Sequence, residues 1–148
     1  MATTFYADNY KANAAYSSQE VGVSVTREFE FTITAAWIIN DVVKLAPIPA
    51  LVILTEWFAD VPDLDTGVAL LLDWGDATTA AKYAAASTIG QALGKLYSGT
   101  AGVAAAVPAK YEEANAFQVK VNTAATGAAA TGTLKGWIRY HAYGYTTL

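Results

Sequence analysis

The chain contains no cysteine among its 148 residues. Disulfide bonds, thiolate catalysis and cysteine-ligated metal sites are therefore excluded, and the fold must depend on packing and hydrogen bonding. Charge is also scarce: 15% of the residues are charged, against about a quarter in an average soluble domain. Surface that stays apolar or nearly neutral after folding usually contacts a partner, so we expect this protein to have one.

Basic residues are few, and they occur singly along the chain. Nine Lys and Arg stand against thirteen Asp and Glu, which gives a formal net charge of −4. Binding to nucleic acid requires clustered Lys and Arg. Nucleic acid is therefore not an expected partner.

Long apolar runs are absent as well. The longest run, residues 46–54, contains Pro47 and Pro49 and is far shorter than the ~20 residues of a membrane span. The first twenty residues have no apolar segment behind a basic start, so no secretory signal is predicted. We expect one domain that folds in a cytoplasm and has no membrane partner.

Most of the chain predicts β-strands. From Val21 to Thr34 the apolar residues fall at odd positions almost throughout, which is the period of a strand with one buried face. Further strands are predicted at 37–45 (two short strands around an Asn-Asp turn), 51–58, 68–74, 117–122 and 133–143. Pro47 and Pro49 favour a bulge, a sheet edge or a loop. The pattern predicts an all-β, mainly antiparallel fold, a β-sandwich or jelly-roll-like domain over residues 20–148.

Helical signals cluster in one region of this domain. Asp76 can cap a helix that begins at Ala77 and continues through the alanine-rich stretch to Ala86. Ser87 or Thr88 can cap a second short turn that ends at Gly94. We therefore predict a short helical insertion near residues 77–97.

Asp65-Thr66-Gly67 matches the signature tripeptide of aspartic proteases, whose viral forms assemble the site across a dimer. Such a site needs two buried aspartates that share a proton, followed by a flap hairpin and a segment that packs beneath the loop. The only candidate for that segment begins at Ile89, which leaves no room for a flap. Gly67 suits a tight turn, so we interpret the tripeptide as a turn in an acidic, solvated loop.

Other catalytic or metal-binding patterns also fail. The aspartates near this loop are possible calcium ligands, but their spacing does not match an EF-hand; they are Asp60, Asp63, Asp65, Asp73 and Asp76. The glutamates offer no preferred pair for glycoside hydrolysis. The single histidine, His141, lies in a predicted strand among aromatic neighbours, and no nucleophile elbow or phosphate loop occurs. No catalytic residue, cofactor or metal site is predicted, and we expect a protein that is not an enzyme.

Four tryptophans leave one further class of function open. Trp37, Trp57, Trp74 and Trp137 each lie in or beside a predicted strand with apolar neighbours, which favours packing in the core or at an interface. Tryptophans exposed on a β-sandwich face would instead suit stacking on sugar rings.

The first nineteen residues differ from the rest of the chain. They have no strand or helix period, yet they contain four aromatic residues: Phe5, Tyr6, Tyr10 and Tyr16. Disordered tails rarely carry so many aromatics. We therefore predict an extended N-terminal arm over residues 1–19 that becomes ordered on a neighbouring subunit, with these side chains as anchors.

Two regions resemble a known class of proteins. The first region comprises residues 68–77, Lys82-Tyr83 and residues 87–92. The second comprises the C-terminal residues 125–140. Together they resemble small structural proteins of tailed bacteriophages that accompany the major capsid protein as head decoration or cement proteins. The resemblance spans roughly residues 50–143 and includes no catalytic motif.

The resemblance implies a subunit on the capsid exterior, often a trimer, that bridges neighbouring capsomers. Its implied partners are the major capsid protein and further copies of itself, and its implied location is the virion surface after assembly in the host cytoplasm. A tail or head-tail joining subunit and a carbohydrate-binding surface module remain alternatives. The interface candidates are the arm residues Phe5, Tyr6, Tyr10 and Tyr16 and the C-terminal tyrosines Tyr140, Tyr143 and Tyr145.

Overall fold

A computed structural model describes residues 1–10, 23–100, 106–127 and 131–143. These residues form ten β-strands. The strands are β1 (Thr4–Tyr6), β2 (Ser24–Ile33), β3 (Val42–Ile48), β4 (Val52–Val61), β5 (Leu71–Asp76), β6 (Ala84–Ser87), β7 (Gly94–Tyr97), β8 (Ala109–Tyr111), β9 (Asn115–Thr123) and β10 (Gly132–Ala142). No helix occurs in this part of the chain, and hence none that could cross a membrane.

The strands form two sheets with a common core. The first sheet has the order β1-β3-β9-β5-β6, and the second has the order β2-β10-β4-β7, with β8 also paired to β4. Every pairing is antiparallel except that of β1 with β3. The predicted all-β, β-sandwich-like architecture is confirmed.

The core lies between the inner faces of the sheets. Buried and more exposed side chains alternate along much of β2, β4 and β10, whereas β5 and β9 each contain a run of four or more buried residues. At its centre Trp57 and Trp74 stack with ring centroids 6.0 Å apart, and Phe117 and Tyr83 pack against Trp57. These four rings are at most 1% exposed. Burying each large apolar side chain contributes about 2–3 kcal/mol, so this aromatic cluster is a major stabilising contact between the sheets.

Between β2 and β4, one strand prediction is wrong and the expected placement of Pro47 agrees with the structure. The segment Trp37–Ile39 was expected to be a strand, but it belongs to the connection before β3, where Asn40 adopts a positive φ of 69°. Pro47 lies in β3 beyond the last residue that pairs with β1, and β3 has an irregular register between Lys44 and Ala46. The missing N–H of Pro47 therefore faces no partner strand in the described part of the chain, as expected for a proline at a sheet edge.

The predicted helical insertion near residues 77–97 is wrong. After β5 the chain makes a tight turn, in which the Asp76 carboxylate accepts hydrogen bonds from the N–H groups of Thr78 and Thr79 at 2.9 and 2.7 Å. An aspartate that caps a helix makes the same contacts. Asp76 therefore does act as a cap, but of a turn and not of a helix. The Tyr83 N–H then donates to the Trp74 carbonyl. This bond returns the chain to the sheet as β6 and prevents a helix from continuing.

Residues 1–10 pack on their own domain. β1 joins the first sheet, and Phe5 contacts Phe31 at 6.1 Å between ring centroids. The following residues cross to the second sheet, where the Asp8 N–H donates to the Glu30 carbonyl. Asn9 bonds the same strand through the Glu28 carbonyl and the Glu30 N–H. Residues 11–22 lie outside the described part of the chain.

Candidate interaction surfaces

Four connections meet at one end of the sandwich, which we call the loop end. They are residues 34–41, 62–70, 88–93 and 124–131, of which 128–130 lie outside the described residues. The strand registers place them together, because Ile33 is opposite Gly132, Val61 is opposite Gly94, and Leu71 is opposite Thr123. Connecting loops on a rigid sheet scaffold commonly carry the contacts of a protein.

Asp65 holds two of these loops together from a buried position, since it is 1% exposed. One carboxylate oxygen accepts the N–H groups of Gly67 at 2.8 Å and Gly127 at 3.0 Å. The other accepts those of Ala69 at 3.0 Å and Leu70 at 2.8 Å. The expectation that Asp65 is solvated is therefore wrong, whereas the interpretation of its tripeptide as a turn agrees with this geometry.

The electrostatics of Asp65 are those of a structural carboxylate. Burial raises the pKa of this carboxyl, but its backbone N–H donors lower the pKa by more, and it falls to about 2. An aspartic protease requires the opposite arrangement, in which a carboxyl keeps or shares a proton near a second aspartate. Each carboxylate oxygen of Asp65 already accepts two backbone N–H groups, so both are engaged in holding the loops.

Asp41 and Gln91 fix the other loops at the same end. Asp41 is 2% exposed, and its carboxylate accepts the N–H groups of Thr3 at 2.7 Å and Ile38 at 2.9 Å. The Gln91 side chain donates to the Leu70 carbonyl at 2.8 Å. These bonds join the N-terminus and the 34–41 and 88–93 connections to the sandwich, so the loop end is held as one surface.

Apolar side chains project from this held surface. Ile38, Ile39, Val68 and Leu93 are 44%, 55%, 83% and 76% exposed. They belong to three different connections, so they do not form one local sequence motif. Exposed aliphatic side chains on well-anchored loops are typical of a protein contact surface.

A second surface is the outer face of the second sheet, which we call the outer face. Its central feature is a row of aromatic side chains that the strand register aligns across β10, β4 and β7: Trp137, Phe58 and Tyr97. Trp137 and Phe58 stack with centroids 6.1 Å apart, while Tyr97 is 50% exposed. Glu28 on β2 stands at the other end of this aromatic row.

Charged side chains border the aromatic row on both sides. On one side the register aligns a charged row across the four strands: Glu30, Lys135, Asp60 and Lys95. On the other side Arg139 forms an ion pair with Glu56 at 2.7 Å and lies over the Trp137 ring at 5.0 Å. The outer face is therefore aromatic at its centre and nearly neutral in sum.

The structure places the predicted interface residues in different environments. Phe5 and Tyr10 are half-buried, while Tyr6 is 51% exposed and lies 5.1 Å from the Tyr10 ring. Tyr140 is 3% exposed, and its hydroxyl accepts a hydrogen bond from Arg27 at 3.3 Å. Tyr143 is half-buried and lies beneath the Lys110 ammonium. Tyr16 and Tyr145 lie outside the described residues.

Sequence reasoning missed both surfaces as wholes. Trp137 was considered individually, and it is the half-buried one of the four tryptophans, whereas Trp37, Trp57 and Trp74 are buried as their apolar neighbours predicted. The aromatic row joins residues that are between about forty and about eighty positions apart in the chain, so no local pattern indicates it. Alternation in β4 and β10 places Phe58 and Trp137 on outer positions, but only the register makes them neighbours.

Two further carboxylates, Asp73 and Asp76, accept hydrogen bonds from within the fold. Asp73 accepts hydrogen bonds from the Ala86 N–H and the Asn122 amide. Asp76 accepts from Lys82 and Tyr111, both at 2.7 Å. Burial raises the pKa of Asp76, but these two partners and the turn N–H groups lower it by more. Among the described residues no cluster of three His, Asp or Glu side chains is arranged to hold a metal ion.

These features define a two-sheet β-sandwich whose exposed surfaces suit contacts with other proteins. Comparison with solved structures finds the same fold in phage capsids. A chain from the capsid of Ralstonia phage GP4 is 26% identical, with a TM-score of 0.73, and the match covers 97% of this chain and 99% of that one. A chain from the capsid asymmetric unit of cyanophage Pam1 is 24% identical, with a TM-score of 0.66, and the match covers 88% of this chain and 99% of that one.

The other two comparisons give no match. No family model fits the sequence, and a search of curated proteins finds no similar one. The structural similarity extends over nearly the whole length of both chains, so it concerns a complete fold. It relates the fold of this protein to that of phage capsid components, and the match to the chain from the capsid of Ralstonia phage GP4 supports a structural role.

Proposed function

We propose that this chain is a structural protein of a bacteriophage virion that binds the exterior of the assembled capsid and stabilises it by bridging capsomers. The observation that carries the proposal is the full-length similarity to a chain from the capsid of Ralstonia phage GP4. The absence of cysteine and the low charge agree with it. The major capsid protein is the proposed partner, together with further copies of this chain, for which the resemblance favours a trimer.

The loop end is the surface that we propose for the capsid contact. Buried carboxylates hold its loops, and exposed aliphatic side chains project from it. A surface that is already ordered loses little conformational entropy on binding. A protein that binds only the assembled shell stabilises that shell by mass action, and repeated copies on one shell add avidity.

Capsid binding by the purified protein tests this proposal. We expect the full-length chain to sediment with expanded shells and not with unexpanded ones, and to raise the temperature at which the expanded shell opens. The variants Ile39→Asp and Val68→Asp should lose most of this binding, because each places a charge in an apolar contact. Val23→Asp is the matched control, since Val23 is a 48% exposed valine at the opposite end of the sandwich.

Three results would contradict the proposal in different ways. Closed rings that form without capsid would indicate a tail or head-tail joining subunit. Quenching of Trp137 fluorescence by glycans, without shell binding, would indicate a carbohydrate-binding module. If Val68→Asp bound shells as well as the wild-type chain, the loop end would not be the capsid contact.

The N-terminal tyrosines are a further proposed contact. Deletion of residues 1–18 would also remove β1 and the packing of Phe5 on Phe31, so it would confuse loss of folding with loss of binding. Tyr6→Ala removes an exposed ring and leaves β1 in place. We expect it to weaken binding to expanded shells while the melting temperature of the free protein changes little; unchanged binding would exclude Tyr6 as an anchor.

A further inference from the structure

The charges on the outer face are arranged so that the pattern is complementary to itself. From β2 to β7, the charged row consists of Glu30, Lys135, Asp60 and Lys95, whose signs alternate. If the row is reversed, each position receives a charge of the opposite sign. Of the six orders in which two negative and two positive charges can stand in a row, four have this property, and the two orders with the same sign at both ends lack it.

A twofold rotation performs this reversal. We consider a second copy that lies face to face with the first, related by an axis that runs parallel to the strands between β10 and β4. The rotation keeps each row at its own level along the strands and reverses the order of the strands. Glu30 then faces Lys95 of the second copy, and Lys135 faces its Asp60.

The neighbouring rows match under the same rotation. In the aromatic row, Trp137 faces Phe58 of the second copy, and the Tyr97 hydroxyl comes opposite the Glu28 carboxylate, which can accept its hydrogen bond. On the far side of the aromatic row, Arg139 faces Glu56. One axis therefore satisfies three successive rows. For Lys135 with Asp60 and for Arg139 with Glu56 the match follows from their being oppositely charged neighbours on β10 and β4. The matches of Glu30 with Lys95 and of Glu28 with Tyr97 do not follow from that pairing.

We propose that the outer face is a twofold interface between two copies of this chain. The interface is isologous, because each copy contributes the same residues. Face-to-face sheets in proteins pack about 10 Å apart and within about 30° of each other, which leaves room for the aromatic row at the centre and the charges at its border. The inference rests on the strand register and does not depend on the proposed virion role.

The expected association is modest. Four strands spaced about 4.8 Å apart and three rows give a contact of roughly 15 Å by 20 Å, which is smaller than the ~800 Å² per partner of a standard interface. We therefore expect the average molecular mass in solution to rise with protein concentration. Added salt should weaken the association, because it screens the charged rows. If another surface forms a trimer, the outer face would join two trimers into an assembly of six.

Two variants with charges of one sign test the proposal directly. Lys95→Glu with Lys135→Glu makes the charged row wholly negative, and Glu30→Lys with Asp60→Lys makes it wholly positive. Each variant alone should associate at least about tenfold more weakly than the wild-type chain, since like charges face each other. An equal mixture of the two should regain association, because every negative residue then faces a positive one.

Sedimentation equilibrium of the full-length chains measures self-association of the wild-type chain, of each variant alone and of the equal mixture. The control is Lys44→Glu with Lys120→Glu, which makes the same change in net charge on the first sheet and should leave self-association unchanged. Recovery in the mixture cannot arise from a folding defect, because a damaged fold would not be repaired by the other variant.

Several outcomes would overturn the proposal. A wild-type chain that remains a monomer or a simple trimer at millimolar concentration has no twofold contact. Single-sign variants that associate as well as the wild type, or a mixture that fails to recover, exclude this face. Loss of shell binding or of glycan binding in these variants, with self-association unchanged, would assign the face to a capsid protein or a sugar instead.

Discussion

At the scale of single residues, Asp65 illustrates how a catalytic signature can be a structural one. The carboxylate must remain ionised to accept four backbone N–H groups. Its pKa of about 2 in the folded protein lies below the value of about 3.9 in an unfolded chain. A group with a lowered pKa stabilises the fold above its unfolded pKa, and this contribution disappears as the pH falls through its folded pKa.

We therefore expect the melting temperature of the wild-type protein to fall between about pH 4 and about pH 2. Asp65→Asn should melt at a lower temperature at pH 7 and should depend less on pH in this range, because it has no carboxyl to titrate. Thermal unfolding followed across the range checks both expectations. Asp63→Asn, which removes an exposed carboxyl from the same loop, should behave like the wild type. If the two variants have the same pH profile, Asp65 does not hold the loops.

A buried hydroxyl network makes a second prediction at this scale. Tyr111 donates to Asp76 at 2.7 Å and also contacts the Tyr83 hydroxyl. Burial raises the pKa of Tyr111, and the neighbouring Tyr83 and Asp76 raise it further. Burial also raises the pKa of Tyr83, so both tyrosines are neutral at pH 7 in the folded protein.

Tyr111→Phe leaves two buried polar groups without this partner, and we expect it to lower the free energy of unfolding by about 1–3 kcal/mol. Tyr6→Phe removes an exposed hydroxyl and should change it by no more than about 0.5 kcal/mol. Denaturant unfolding at pH 7 measures both values. Equal values for the two variants would show that the network does not contribute to stability.

At the scale of elements, the connection between β5 and β6 depends on close backbone contact. A Cβ atom added at Gly75 would collide with the backbone carbonyls of Thr79 and Ala80. We expect Gly75→Ala to reduce stability by about 1–3 kcal/mol or to prevent folding, because the backbone cannot move aside as a flexible side chain does. At Gly99 the same Cβ would meet only the Tyr97 ring at an ordinary 3.4 Å.

Gly99→Ala is therefore the matched control, and the two variants are compared by thermal unfolding and soluble yield. A helix over residues 77–86 would give a different result, since Gly75 would precede it and alanine would be tolerated. A Gly75→Ala variant as stable as Gly99→Ala would contradict the tight turn.

The long strands could be predicted from the sequence because their signal is local. Apolar side chains alternate in β2, β9 and β10, and each period is visible within about ten residues. The turn after Asp76 could not be distinguished from a helix, because an aspartate followed by Thr78 and Thr79 makes the same capping bonds in both. What decides between them is Tyr83, whose fully buried ring packs on Trp57, a residue distant in the chain.

The two surfaces are less predictable than the strands, because they too depend on contacts between residues distant in the chain. The residues Glu30, Lys135, Asp60 and Lys95 come from four strands that are not consecutive in the chain, and their alignment depends on the registers of three pairings. An error of one residue in any pairing would move one member to the core side. Local patterns predict which side chains face outward, but not which of them become neighbours.

At the scale of the whole molecule, one core joins both sheets, so we expect a single cooperative unfolding transition. Leu134 is fully buried within it, and Leu134→Ala should cost about 2–5 kcal/mol by leaving a cavity. Val25→Ala, at a 39% exposed position, should cost less than about 1 kcal/mol. Calorimetry checks both the size of the loss and the cooperativity. Two separate transitions would mean that the sheets unfold independently.

The N-terminal residues have a consequence for how copies of this protein behave when crowded together. β2 is an edge strand, and an exposed edge is a template to which strands of other molecules can add without limit. Asp8 and Asn9 occupy the hydrogen-bonding groups of Glu28, Glu30 and Thr32 along this edge. A short, polar segment of the chain thereby terminates the sheet. On a capsid of the kind proposed above, neighbouring copies could then meet through specific faces without forming fibrils.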